Sequence, residues 1–266
     1  MNIMKTFLRA AALIVVAALP AASQSTRADI EAVVQDYLFQ HPEVVQRIVK
    51  DYMIKNPDVL REALAELVKG RRGIATGNGN QSIAAAIKTN AKLLFESRHQ
   101  VTLGNPQGAI TLVEFFDYNC GYCKRALSDM MALLKDDANL RIVLKELPVL
   151  GPGSTEAARV AAAAHMQDAL GEKYLTFHQA LLGGYGPANE STALAAAKAA
   201  GFDIERLRAD MTSDEVNQAL TESSNLARAI GINGTPGYVI GDTVVAGAVG
   251  LAALKERIWA SRQAQN

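Results

Sequence analysis

The chain has two cysteines, Cys120 and Cys123, and only two residues separate them. Disulfide frameworks normally use more cysteines and close longer loops, so a bond across this span would add little stability. The pair follows an apolar run at 109–116 and opens a segment with helical spacing. Unpaired N–H groups and the dipole at a helix start stabilise a thiolate, the species that attacks disulfides. The pattern therefore predicts a redox-active disulfide, with Cys120 as an exposed nucleophile and Cys123 as the resolving thiol.

A second element precedes a short apolar run near the end of the chain. Gly-Thr-Pro-Gly at 234–237 is a candidate for a cis X–Pro peptide bond. The backbone of Thr235 would then offer hydrogen bonds to an extended substrate, which would add to the protein as a strand. We therefore predict a substrate-binding surface made of Thr235, Pro236 and the two residues between the cysteines, Gly121 and Tyr122.

A third element is Glu114, six residues before Cys120 in an otherwise apolar run. It alternates with Leu112 and Phe116 on one face of the predicted strand, and a buried carboxylate is costly. We predict that burial raises its pKa and that it relays a proton to or from Cys123. The alternative is a glutamate exposed at the edge of a sheet.

Metal binding is the main alternative role for the cysteines. A structural zinc site needs four ligands, and neither a second Cys-x-x-Cys nor a histidine with ligand spacing is present. His165 and His178 are predicted to be surface or capping residues of helices. We expect no metal and no cofactor other than the disulfide. A Cu(I) site made of two thiolates and a non-enzymatic holdase remain as further alternatives.

The first residues have the order of a secretory signal peptide. Lys5 and Arg9 precede ten uncharged residues at 10–19, and small residues follow at 21–23. Ten apolar residues are too few to span a bilayer. We therefore predict a signal peptide at 1–23 and a periplasmic or otherwise exported protein, in a compartment where disulfides persist.

The charges of the whole chain balance, with 27 Lys and Arg against 27 Asp and Glu. This balance gives no reason to expect nucleic acid or an anionic membrane as a partner.

Residues 24–81 are predicted to form a helical region that ends in a linker. Its helices fall near 29–39, 42–54 and 57–69, with prolines in the first turns of the second and third. Their apolar residues form stripes, which must be buried against the rest of the chain or another copy of it. Four glycines within 70–80 indicate a flexible linker.

Residues 82–266 are predicted to form an α/β domain. The expected order is helix, strand, helix, parallel strand, helical block, two short strands and a closing helix. The alanine-rich block at about 153–225 is predicted to hold three or four helices. The fold class is therefore α/β: a thioredoxin-like fold with an inserted helical domain, plus an N-terminal α-helical stalk. The expected element bounds are helix 82–97, strands 109–116, 140–147, 238–241 and 244–246, and helix 251–262.

Three motifs resemble the DsbA family of periplasmic thiol–disulfide interchange proteins. They are Glu-Phe-Phe-Asp-Tyr-x-Cys-Gly-Tyr-Cys-Lys at 114–124, Glu-Leu-Pro-Val-Leu-Gly at 146–151 and Gly-Thr-Pro-Gly-Tyr at 234–238. The resemblance implies Cys120 as nucleophile, Cys123 as its partner, Pro236 as the cis-proline and Glu114 as the buried acid. Asp-Tyr-Leu-x-x-His-Pro-Glu at 36–43 is similar to the ScsC-like subgroup, whose N-terminal helices can make homo-oligomers.

The residues between the cysteines bear on the direction of the reaction. Strongly oxidising members of the family carry Pro-His there, whereas this chain has Gly121 and Tyr122 and no cation. Gly-Tyr, with Thr235 before the proline, is more similar to the oligomeric DsbC-type isomerases. We therefore favour an isomerase, with a DsbA-type dithiol oxidase as the alternative. The implied partners are unfolded or misoxidised exported proteins and a membrane redox partner.

Overall fold

The computed structural model describes residues 30, 33–34, 36–38, 41–59, 77–168 and 171–264. The chain divides into two compact units, Met1–Lys69 and Gly70–Asn266. The predicted signal peptide lies outside the described residues, as do most of the predicted linker and of the helix expected at 57–69. Within the described part, no helix has the length and apolar character required to cross a membrane.

The first unit contains helix α1 (Pro42–Lys55), which begins at a proline. The helix expected at 42–54 is therefore confirmed to within one residue. The side-chain amide of Asn56 donates to the carbonyl of Tyr52 at 2.8 Å and satisfies one of the carbonyls left free at the end of α1. The other described residues of this unit, at 30, 33–34, 36–38 and 57–59, are also helical.

The second unit is built on a five-stranded sheet with the order β1-β3-β2-β4-β5. β2 and β3 pair in parallel, as predicted, whereas the other neighbours are antiparallel. The strands are β1 (Val101–Gly104), β2 (Ile110–Phe116), β3 (Leu140–Glu146), β4 (Gly237–Ile240) and β5 (Thr243–Ala246). β1 was not predicted, because four residues that end at a glycine are too short for a clear alternation.

Nine described helices surround the sheet. They are α2 (Gly77–Thr89), α3 (Ala91–Phe95), α4 (Gly121–Asp136), α5 (Pro152–His165), α6 (Glu172–Leu182), α7 (Glu190–Ala199), α8 (Ile204–Asp210), α9 (Asp214–Ala229) and α10 (Leu251–Gln263). β3 and β4 are therefore separated by five described helices rather than three or four. The extra break arises because the side chains of Asp203 and Ser213 cap the starts of α8 and α9.

Two further expectations about the helices are wrong. Residues 77–80, assigned to the linker, form the first turn of α2, and the helix expected at 82–97 is divided at Asn90. Ile87 of α2 and Leu94 of α3 are buried against the sheet. This burial favours helix formation, and glycine at 77 and 79 weakens a helix without preventing it.

Alternate side chains of β2 enter two different cores. Leu112 and Phe116 pack with α4, α5 and α10 on one face of the sheet. Val113 and Phe115 pack with α2, α3 and α9 on the other face. Because both faces are covered, β2 is apolar along almost its whole length, and Glu114 is its one charged residue. Glu114 shares the face of Leu112 and Phe116, which is the face that α4 covers.

Candidate active site

The two cysteines lie at the junction of β2 and α4. Cys120 is the N-cap residue of α4, with extended backbone angles. Its N–H donates to the carbonyl of Asp117 at 3.0 Å, and its carbonyl accepts from the N–H of Lys124 at 3.0 Å. The sulfur of Cys120 is therefore placed at the positive end of a 16-residue helix.

Cys120 is less exposed than the sequence predicted. Only 6% of the residue is accessible, against 0% for Cys123, and both cysteines are free thiols. The Sγ of Cys120 donates to the carbonyl oxygen of Thr235 at 3.2 Å, so the loop before β4 covers the sulfur. The Thr235–Pro236 peptide bond is cis, as predicted.

Cys123 lies one turn inside α4 and is fully buried. Burial raises the pKa of this thiol well above its ordinary value, and the nearby Cys120 and Glu114 raise it further. A hydrogen bond from the backbone of Asp117 acts in the opposite direction, because it stabilises the thiolate. Cys123 is therefore held as a protonated thiol near neutral pH and requires a base before it can act as a nucleophile.

Glu114 lies on the same face of β2 and is buried, with 3% of its surface exposed. Burial raises the pKa of its carboxyl group to about 8, and the negative charge of Asp129 adds to the shift. Among the described residues, its side chain makes no hydrogen bond that would offset the burial. The prediction of a buried acid with a raised pKa is confirmed. The charge of Glu114 also contributes to the raised pKa of Cys123, so the two groups are electrostatically coupled.

Asp117 organises the turn before the cysteines, a role that the sequence analysis missed. Its carboxylate is buried and accepts four hydrogen bonds at 2.8–3.0 Å. The donors are the backbone N–H groups of Asn119, Val149 and Leu150 and the hydroxyl of Ser154. This carboxylate joins the turn before the cysteines to the loop after β3. A charged residue directly after a buried strand was the signal that could have revealed it.

The residues between the cysteines face solvent. Gly121 is exposed, and a side chain at this position would meet nothing within 4 Å. Tyr122 is 60% exposed, and the guanidinium of Arg125 lies 4.2 Å from the centre of its ring. Thr235 is partly exposed, whereas Pro236 is buried. The four predicted substrate-binding residues therefore belong to two segments that the Cys120–Thr235 hydrogen bond brings together.

A buried polar network lies behind the turn before the cysteines. The hydroxyl of Tyr174 donates to Glu146 at 2.6 Å, and the hydroxyl of Tyr118 lies 3.2 Å from that of Tyr174 and 3.3 Å from Nδ1 of His178. His178 is 1% exposed, so its prediction as a surface or capping residue is wrong. Burial lowers its pKa to about 3 and keeps the imidazole neutral. The network connects the turn before Cys120 to β3 and α6.

Among the described residues, no three His, Cys, Asp or Glu side chains are arranged so that they could hold a metal ion.

The order of elements, the position of the cysteine pair and the cis-proline loop define the architecture of this unit. A comparison with protein families matches residues 111–259 to the DSBA-like thioredoxin domain. The chain belongs to this family. The match includes both cysteines, the described helices between β3 and β4, and the loop that carries Pro236.

Solved structures of similar proteins agree with this assignment. A thioredoxin-like oxidoreductase from Silicibacter pomeroyi is 43% identical, with a TM-score of 0.62 over 65% of this chain and 98% of that chain. The thiol-disulfide exchange protein alpha-DsbA2 from Wolbachia pipientis is 28% identical, with a TM-score of 0.63 over 69% and 97%. The catalytic domain of ScsC from Proteus mirabilis is 25% identical, with a TM-score of 0.61 over 67% and 97%. The predicted thioredoxin-like fold and the resemblance to ScsC-like proteins are confirmed.

The chain spans about a quarter of the length of the curated relatives that it matches. These are two Salinispora proteins named as sodium/proton antiporters, each 27% identical to this chain over the matched segment.

Proposed function

We propose that this protein is a periplasmic thiol–disulfide oxidoreductase that rearranges incorrect disulfides in exported proteins. The observation that carries the proposal is the placement of Cys120 at the start of α4, with its sulfur 3.2 Å from the carbonyl of Thr235. Membership of the DSBA-like family supports this chemistry. So does the similarity to the Wolbachia protein, which is described as a thiol-disulfide exchange protein.

In the proposed reaction the thiolate of Cys120 attacks one sulfur of a substrate disulfide. A mixed disulfide forms, and the other substrate sulfur leaves as a thiolate. That thiolate, or another cysteine of the substrate, can attack a different disulfide and finally displace Cys120. The net result is a rearranged substrate and an unchanged enzyme, so no external oxidant is consumed.

Cys123 provides the alternative exit from the mixed disulfide. Its attack on Cys120 would release a reduced substrate and leave a Cys120–Cys123 disulfide in the enzyme. The raised pKa of Cys123 keeps this exit slow, because Glu114, whose pKa is raised to about 8, must itself be ionised before it can accept the thiol proton. A slow exit gives the bound substrate time to rearrange, which supports an isomerase. A membrane redox partner would then return the disulfide form to the dithiol.

Substrate contacts are proposed for Thr235, Pro236, Gly121 and Tyr122. A peptide that places its own sulfur at Cys120 must break the hydrogen bond between the Sγ of Cys120 and the carbonyl oxygen of Thr235. The freed carbonyl can then accept from an N–H of the extended peptide. Because Gly121 carries no side chain and open space surrounds it, the chain can approach the cysteine closely.

The first unit is proposed to make a homo-oligomer. Apolar residues of α1 stand in solvent: Val45, Ile48, Val49 and Tyr52 are each at least 41% exposed. A helix with an uncovered apolar face is stabilised when a second copy buries it. Sedimentation of a chain that lacks 24–69 tests this proposal, because the deletion ends at the boundary between the two units. An unchanged molar mass would refute it.

The test of the function is the reactivation of a scrambled multi-disulfide protein by the reduced mature chain. Reactivation that is lost in the Cys120→Ser variant supports the isomerase. Failure to reactivate, together with rapid oxidation of a dithiol peptide by the disulfide form, would make the protein an oxidase. Inactivity in both assays would refute the enzymatic proposal.

A further inference from the structure

The buried carboxyl of Glu114 can serve Cys123 only if its own proton has a way to solvent. Its pKa of about 8 means that it is mostly protonated near neutral pH, and only 3% of the residue is exposed. In the proposed reaction this carboxyl must lose its proton before it can accept the one from Cys123. The side chains around Glu114 therefore decide how fast its protonation state can change.

Tyr238 is the polar neighbour of Glu114 within the sheet. The two residues are directly opposite each other in the antiparallel pair of β2 and β4. Directly opposite side chains of such a pair share one face of the sheet, with their Cβ atoms about 5 Å apart. The partner of Glu114 on its other side, in β3, is the apolar Leu144. Because Tyr238 also packs in the same core as Cys120 and Cys123, β4 brings a hydroxyl group to the face of the sheet that carries the buried acid.

The hydroxyl of Tyr238 makes no hydrogen bond among the described residues, although the residue is only 2% exposed. A buried tyrosine usually pairs its hydroxyl. Neither this oxygen nor the carboxyl oxygens of Glu114 belong to the unpaired polar atoms that are fully sealed from water in the described part of the chain. Both groups therefore border a space that a water molecule can enter. Burial raises the pKa of the phenol, and the nearby Glu114 and Cys123 raise it further, so the hydroxyl keeps its proton.

Asp129 on α4 lies at the solvent end of this group. It comes three residues after the buried Ala126 and four before the buried Leu133, so it flanks the face of α4 that packs on the sheet. Its side chain is partly exposed. Its negative charge acts on both Glu114 and Tyr238, so the carboxylate lies near both groups. The three side chains thus lead from the buried strand toward the surface.

The remaining elements around Glu114 contribute apolar side chains to this core. They are Leu144 of β3 and the buried residues Leu254 and Ile258 of α10. Among the described residues, the groups near Glu114 that can hold or carry a proton are therefore Cys123, Tyr238 and Asp129.

We propose that the hydroxyl of Tyr238 relays the proton of Glu114 to Asp129 and to solvent. The carboxyl of Glu114 passes its proton through a water molecule to the oxygen of Tyr238, while the hydroxyl proton of Tyr238 moves on to the carboxylate of Asp129. Asp129 then releases a proton to solvent. Tyr238 ends the step as it began, so the phenol is never ionised, and Glu114 becomes the carboxylate that Cys123 requires. The inference rests on the proposed function, in which Tyr238 is a positioning residue that acts through Glu114.

The experiment follows closure of the Cys120–Cys123 disulfide in the full mature chain. Reduced protein is mixed with excess glutathione disulfide, quenched with acid and analysed by mass spectrometry, which separates the glutathione adduct of Cys120 from the closed disulfide. For Tyr238→Phe we expect closure at pH 8 to slow about tenfold, because the relay is lost, while the adduct forms at the wild-type rate. Tyr185→Phe removes the hydroxyl of a fully exposed tyrosine and should change neither step.

A double variant shows whether Tyr238 acts through Glu114. Closure should be slow in Glu114→Gln, and adding Tyr238→Phe should cause no further loss, because no carboxyl proton remains to be relayed. A tenfold loss from Tyr238→Phe in both backgrounds would overturn the inference, because it would mean that the hydroxyl acts on packing rather than on Glu114.

Asp129→Asn tests the solvent end of the route. The variant lacks the negative charge that raises the pKa of Glu114. The pH at which closure reaches half of its maximal rate should therefore move down, and the maximal rate should fall because the proton acceptor is lost. An unchanged pH profile would overturn the place of Asp129 in the relay.

Infrared spectroscopy tests the same route without disulfide chemistry. Reduced wild-type protein at pH 6 is transferred to heavy water, and the carboxyl band that is missing in Glu114→Gln is followed as deuterium replaces the proton. Deuteration should be about tenfold slower in Tyr238→Phe. Equal deuteration rates in the wild type and Tyr238→Phe would overturn the inference. Slower deuteration in Tyr238→Phe, with a wild type that exchanges no disulfide, would support the relay and refute the proposed enzymatic function instead.

Discussion

The buried carboxyl of Glu114 makes the stability of this protein depend on pH in a way that one substitution can isolate. Its pKa is about 8 in the folded chain, against an ordinary value of 4.5. Between these pH values the folded state therefore holds one proton more than the unfolded state. The free energy of unfolding then falls as pH rises, by about 1.4 kcal/mol for each pH unit.

From pH 5 to pH 7 the ionisation of Glu114 lowers the free energy of unfolding by roughly 2–3 kcal/mol. Glu114→Gln cannot ionise, so it lacks this contribution. Any cost of burying the amide is the same at every pH, so it cancels when the two pH values are compared. The Tm of Glu114→Gln minus the Tm of the wild type should therefore increase by roughly 5–10 °C from pH 5 to pH 7 for a unit of this size.

The assay is thermal unfolding of the reduced protein, followed by circular dichroism at pH 5, 6 and 7. Glu146 is also buried with a raised pKa, but it is present in both proteins and its effect cancels. Glu256→Gln, at an exposed position on α10, controls for the loss of one carboxylate. Parallel Tm profiles for the wild type and Glu114→Gln would refute the reasoning, because they would mean that Glu114 is ionised throughout.

Three other changes have defined outcomes. Cys123→Ser should accumulate a mixed disulfide with substrate, visible on a non-reducing gel, because the resolving thiol is lost. Absence of this band, or its persistence when Cys120 is also replaced, would contradict the assigned roles. Asp117→Ala should lower the free energy of unfolding by about 3 kcal/mol in a urea titration, because four donors lose their acceptor. A loss below about 1 kcal/mol would mean that the four hydrogen bonds to Asp117 contribute little to stability. Lys145→Met should lower the free energy of unfolding by about 3 kcal/mol, because the largely buried Glu222 loses the ammonium group 3.3 Å away. The double variant with Glu222→Leu should recover most of this loss. No recovery would mean that the ion pair is not the cause.

Local chemistry in the sequence determined much of the site. A cysteine pair between a buried strand and a helix predicts a nucleophile at the helix start, because this follows from helix geometry alone. Glu114 stood out because one carboxylate within an apolar strand needs a special environment. Thr235–Pro236 was recognisable because a proline between glycines before a strand is typical of a turn with an unusual peptide bond.

The tertiary structure decided what depends on contacts between distant segments. The sequence predicted that the loop at Thr235 shares a surface with the cysteine motif, but the hydrogen bond by which this loop, 115 residues away, covers the sulfur of Cys120 was decided by packing. The same holds for His178, which lies in a helix of ordinary composition but packs behind the turn before the cysteines. Only the tertiary structure brings the loop between α6 and α7 beside the cysteine motif, where Lys124 donates to the carbonyl of Gly184 and Asn119 accepts from the N–H of Ala188. The sequence determined the reactive groups, because their identity and local spacing are written in it. Their burial, their pKa values and their neighbours were decided by packing between segments far apart in the chain.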